Sequence, residues 1–95
     1  FSIFVPLWLE ALGFCGHGEA KDLIASGAIG PGGRIPVNTG GGQLSGGRLH
    51  GFGLMHEVCL QLWGKAGARQ IAGARTGVCG MGGGFIAGAM LLNRG

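Results

Sequence analysis

An α/β fold is predicted by three features of the sequence. Apolar segments of helix-forming residues occupy the start and the middle of the chain, extended apolar segments close it, and glycine clusters separate them. At 95 residues the chain has room for one domain with a narrow stability margin. Hydrophobic residues make up 46% and charged residues 12%. That balance excludes a disordered segment and leaves too little charge to clothe a free surface, so other protein is expected to cover part of it. The opening run FSIFVPLWLEALGF, without an initiator Met, reads as an element already under way and predicts a piece of a longer protein.

The first element is a buried helix over 3–13, apolar at nearly every position and stopped by Gly13. A short second helix is expected over 19–25, where Glu19 and Asp22 favour an N-terminus, Leu23 and Ile24 supply the apolar face, and Gly27 closes it. GAIGPGG at 27–33 is turn chemistry, and RIPVN at 34–38 is a loop or edge strand, because Pro36 lacks a ladder donor. The third helix, over about 48–64, is the best defined. Leu49, Phe52, Leu60 and Trp63 recur at helical steps with Met55, Cys59 and Leu62 beside them, so the helix is apolar almost all round and should be central. Residues 74–80 and 85–92 then read as two antiparallel strands joined through GMGGG.

Composition narrows the function classes. The apolar opening is broken by Glu10 and lacks a signal-peptide pattern, so no membrane span is predicted. Three cysteines, Cys15, Cys59 and Cys79, are an odd number that does not resemble a disulfide framework, and a reducing cytoplasmic setting is expected. The net charge of +3 comes from scattered residues with no interleaved aromatics. That pattern offers no footprint for nucleic acid and leaves only modest attraction for a small anion.

Several motifs fail on inspection. Gly82, Gly84 and Ala87 spell a dinucleotide fingerprint, but a strand follows where a helix must open. GKA at 64–66 lacks both the upstream glycine and the hydroxyl residue of a phosphate loop. His56 with Cys59, and Cys15 with His17, have no second pair at metal-ligand spacing, and no metal site is expected. Two segments resist a bland reading: NTGGGQLSGGRLHG at 38–51 and VCGMGGG at 78–84. Each places an acid–base candidate, His50 or Cys79, among glycines whose amides approach a ligand closely. Plain turns are the alternative, with His50 as a helix N-terminal residue.

In combination, Asn38 and the glycines after it, His50, the helix ending in QLWG and the final VCGMGGG resemble the C-terminal part of the thiolase superfamily. The resemblance lies with its lipid-transfer and sterol carrier protein x-type branch and covers essentially the whole chain. Phe1 resembles the last residue of the family's motif that positions a catalytic water. The resemblance implies that 1–95 is a thiolase C-terminal domain, half of a layered α-β-α fold, with the domain bearing the cysteine nucleophile lying upstream. It implies acyl transfer between coenzyme A thioesters, by thiolytic cleavage or Claisen condensation of 3-ketoacyl-CoA. The partners implied are acyl-CoA, the N-terminal domain and further copies in a homo-oligomer, with no cofactor beyond the thioester substrates.

Residue by residue, the resemblance makes His50 and Cys79 catalytic and gives Asn38, Arg48, Gly83 and Gly84 contacts to substrate or oxyanion. The chain departs from the usual pattern twice. The usual histidine directly follows the glycine that here is Gly47, where Arg48 stands, whereas the lipid-transfer branch has its histidine at the later place held by His50. The usual cysteine falls where this chain has Gly80, one residue after Cys79. Two further classes stay open: a retro-aldol lyase of the same branch, which uses tyrosines that this chain lacks, and a non-catalytic subunit that binds acyl-CoA.

Overall fold

The computed structural model describes residues 2–43, 46–47 and 49–95. They form two compact units, Phe1–Val37 and Asn38–Gly95.

The first unit contains helices α1 (Phe4–Ala11) and α2 (Ala20–Ala25). Helix α1 ends at the expected glycine. Gly13 takes φ 81°, its N–H donates to the Glu10 carbonyl, and the Phe14 N–H donates to the Leu9 carbonyl, both at 3.0 Å. These paired bonds satisfy the last carbonyls of the helix. Leu9, Leu23 and Ala28 make the core, with Val5, Ile24, Ile35 and Val37 packed against it. Burying each leucine contributes about 2 kcal/mol. RIPVN is a loop held by N–H donors of Ile35 and Val37 to the carbonyls of Ala28 and Ile29, at 2.8 and 3.0 Å, with donor-less Pro36 between them. The expectation of a buried first helix needs correction, because within the described residues only Leu9 of α1 is buried, while Ile3, Leu7 and Leu12 face solvent.

The second unit holds helix α3 (Phe52–Leu62), a 3₁₀ turn (Gly67–Arg69) and strands β1 (Thr76–Gly83) and β2 (Ile86–Asn93). The strands pair antiparallel from Thr76 opposite Asn93 to Gly83 opposite Ile86. The fold is thus mixed α/β with a C-terminal pair of antiparallel strands, as predicted. Two boundaries moved. The GMGGG segment is mostly strand, and the connection shrinks to Gly84 and Phe85, with positive φ (72°) at Gly84 alone. That is the pattern of a II′-type turn, whose twist matches a hairpin. Helix α3 starts at Phe52 instead of 48 because His50 and Gly51 both take positive φ, at 51° and 90°. It is also one-sided: Gln61 and Leu62 are buried, whereas Phe52 and Trp63 are 68% and 61% exposed.

Residues 77, 79 and 81 share the face of β1 that meets α3. A side chain at Gly77 would collide with Val58, so the glycine lets strand and helix approach closely. Among the described residues no helix is long and apolar enough to cross a membrane.

Candidate functional site

His50 sits in a tight turn. The Phe52 N–H donates to the Leu49 carbonyl at 3.1 Å across two positive-φ residues, the geometry of a type I′ turn. The second of them, Gly51, is buried, and any β-carbon there would strike the Met81 side chain. Glycine is therefore required both by conformation and by contact. The turn rests on Met81, two residues from Cys79 on the same strand face, and this brings the His50 turn to the part of the hairpin that carries the cysteine. His50 is exposed.

Cys79 is 3% exposed, on the α3 side of the sheet. Burial, and after it the nearby Cys59, push its thiol up. A thiol in that setting stays protonated at neutral pH, a form suited to donating a proton and poor as a nucleophile.

Asn38 is exposed, with φ 54°, a left-handed conformation that asparagine tolerates better than most residues. Its carbonyl accepts the Gly41 N–H at 2.9 Å, closing a turn. The next residue ties this loop to α3: the Thr39 hydroxyl donates to Glu57 Oε1 at 2.9 Å, and Gln61 Nε2 reaches Thr39 Oγ1 at 3.3 Å. On the other side of Glu57, Arg69 donates from Nε to Oε1 at 3.1 Å and from its second terminal nitrogen to Oε2 at 2.8 Å. The fork of Arg69, opposed by burial and aided by Thr39 and Gln61, lowers the Glu57 carboxyl from its ordinary 4.5 to about 2. Gln61 completes the network. Its amide nitrogen donates to the Arg69 carbonyl and its oxygen accepts the Ile71 N–H, both at 2.8 Å, so this buried polar side chain is satisfied. None of Thr39, Glu57, Gln61 or Arg69 was singled out from sequence. The available signal was a polar pair four residues apart, Glu57 and Gln61, on a mostly apolar helix.

The remaining candidates separate. Gly83 ends β1 opposite Ile86, and Gly84 lies in the exposed turn. Four residues, five strand steps or at most about 17 Å, part Gly84 from Cys79. Arg48 and Phe1 lie outside the described residues. His56 is exposed, and among the described residues no three His, Cys, Asp or Glu side chains converge in a way that would hold a metal.

A helix laid on a glycine-rich hairpin, with two glycine-bearing loops held to that helix and strand, defines an α/β domain organised around loop-borne polar groups. The chain belongs to the thiolase C-terminal domain-like family, whose profile matches residues 1–92. It is 53% identical over 66 residues to a 17-hydroxy-3-oxo-4-pregnene-20-carboxyl-CoA lyase of Mycobacterium tuberculosis, covering 70% of this chain and 17% of that protein. It is 40% identical over 92 residues to sterol carrier protein 2 of Gallus gallus, covering 90% of this chain and 17% of that protein. With an acetyl-CoA acetyltransferase of Methanothermobacter thermautotrophicus it shares 40% identity over 81 residues, 82% of this chain and 21% of the relative. The chain therefore spans about a fifth or less of the length of these relatives. No solved structure matches it.

Proposed function

We propose that this chain forms the C-terminal part of the site in a thiolase-like enzyme that breaks a carbon–carbon bond next to a coenzyme A thioester by retro-aldol cleavage. The observation that carries the reading is the 53% identity to a protein named a carboxyl-CoA lyase. It is supported by Arg48 and Gly80 standing where a thiolytic enzyme usually has its histidine and its second cysteine.

Retro-aldol cleavage requires a 3-hydroxyacyl thioester. A base takes the hydroxyl proton, the oxygen's electron pair forms a ketone or aldehyde, and the Cα–Cβ bond breaks. Its electrons pass onto the thioester oxygen as an enolate, which then takes a proton at Cα. The base is assigned to His50, an imidazole carried on the turn that rests on the hairpin. Arg48 and the amides of the loop after Asn38 are assigned to the enolate oxygen, where fixed donors act most strongly. Cys79, held as a thiol, is assigned to proton return. The upstream domain and a homo-oligomeric assembly complete the proposal.

Thiolytic acyl transfer is the second reading, favoured by the identity to an acetyl-CoA acetyltransferase. The full-length protein separates the two. Offered a 3-hydroxyacyl-CoA with a fully substituted β-carbon, a lyase releases a ketone and a shorter acyl-CoA without added coenzyme A. Turnover of 3-ketoacyl-CoA that requires free coenzyme A, with no cleavage of the hydroxy substrate, would refute the lyase reading in favour of thiolysis.

A further inference from the structure

We infer that Glu57 and Thr39 are positioning residues that set the place of the glycine loop at 38–42. The inference rests on the proposed function in one respect only, that this loop faces the thioester.

Glycines make a loop adaptable, and an adaptable loop is a poor oxyanion holder unless something fixes it, because donors must be in place before charge develops. Gly41 and Gly42 both take φ 82°, in open space. The Asn38–Gly41 turn stiffens the loop from within, at 2.9 Å. Thr39 is its side-chain tether to α3, and Glu57 is the anchor of that tether. A β-carbon at Gly40 would come within 3.2 Å of Glu57 Cγ, so a larger residue there would press on the anchor.

Glu57 is itself immobilised. Its side chain is 14% exposed and gripped by the fork of Arg69, whose own side chain is 48% exposed. A carboxylate held at both oxygens by a planar guanidinium offers a lone pair in a fixed direction. The Thr39 hydroxyl donates into that lone pair at 2.9 Å, and Gln61 Nε2 lies 3.3 and 3.2 Å from Thr39 Oγ1 and Glu57 Oε1, shared between them. The network therefore transmits the position of α3 and of the 3₁₀ turn to the loop. Neither Glu57 nor Thr39 needs to touch substrate for this role.

The test uses the full-length protein with Thr39→Val, Thr39→Ser and Glu57→Gln. Amide exchange is read for peptides covering 38–43 and, separately, for the hairpin at 76–93; kcat and KM are read on whichever thioester the wild type turns over. Thr39→Val is expected to speed exchange of 38–43 about tenfold while the hairpin keeps its protection, since one charge-assisted hydrogen bond is lost locally. It should lower kcat about ten- to a hundredfold with KM changed less than about twofold, the signature of misplaced donors that act in the transition state. Thr39→Ser keeps the hydroxyl and should restore both. Glu57→Gln should act like the valine variant, because an amide cannot accept both bonds of Arg69. Unchanged exchange at 38–43 in Thr39→Val, an equal rise in the hairpin, or a change in KM alone would overturn the inference. A wild type that turns over no acyl-CoA would defeat the functional reading by itself, and the exchange measurements would still decide for or against the tether.

Discussion

Replacing Gly51 by alanine should loosen the His50 turn from the hairpin, by an amount that the backbone and the contact set separately. The conformational part comes from φ 90°, which costs an L-residue roughly 1–2 kcal/mol. The steric part comes from Met81, whose sulfur and Cγ occupy the space of the new methyl group, and such overpacking costs about 1–3 kcal/mol. Gly51→Ala should therefore destabilise the α3–hairpin packing by about 2–5 kcal/mol. Gly64→Ala is the control, since Gly64 also has positive φ (70°) but nothing within 4 Å of its would-be β-carbon. That variant should lose only the conformational part, roughly 1–2 kcal/mol. Opening free energies from amide exchange across α3 and β1 measure both losses. In the double variant Gly51→Ala with Met81→Ala the steric part should disappear, leaving a cost smaller than the two single losses added together. A Gly51→Ala loss no greater than that of Gly64→Ala, or strict additivity with Met81→Ala, would refute the contact.

Other measurements bear on the site. Glu57 should titrate near pH 2 by carboxyl-carbon NMR, below its ordinary 4.5. Because the folded-state value is depressed, the stabilisation is complete above about pH 4.5 and is lost as pH falls through about 2; its ceiling is about 3 kcal/mol, reduced by solvent screening around half-exposed Arg69. Glu57→Gln should thus destabilise at pH 7, and the difference should shrink as pH falls through about 2. Cys79 should react with iodoacetamide at pH 7 more than about tenfold slower than the same thiol in denaturant, because it is buried and protonated; equal rates would contradict its placement. On the proposed function, His50→Ala in the full-length protein should lower turnover about a hundredfold, the scale for losing a positioned acid–base group. Comparison with Arg48→Ala tests the role of each, and near-normal turnover in the histidine variant would remove His50 from the mechanism.

The local chemistry of the chain was legible in its sequence. Helix ends at Gly13 and Gly64, the donor-less Pro36 in a loop and the paired apolar segments at the end follow from backbone rules that depend on a few neighbouring residues. Family membership was legible as well, because glycines and polar residues in a fixed order form a pattern that does not depend on knowing contacts. The length of the hairpin loop was misread for a physical reason: glycine permits both strand and turn, so GMGGG carries no local preference, and pairing opposite Ile86–Ala89 decides in favour of strand. The start of α3 was misread similarly. Helical periodicity runs through Leu49, but the contact between Gly51 and Met81, thirty residues apart, favours a turn that periodicity does not reveal. Glu57, Gln61, Thr39 and Arg69 are polar residues of ordinary kinds in sequence. Only the fold brings them within hydrogen-bond reach, because a carboxylate's partner is chosen by distance in space, and the partners here lie 18 and 12 residues away along the chain.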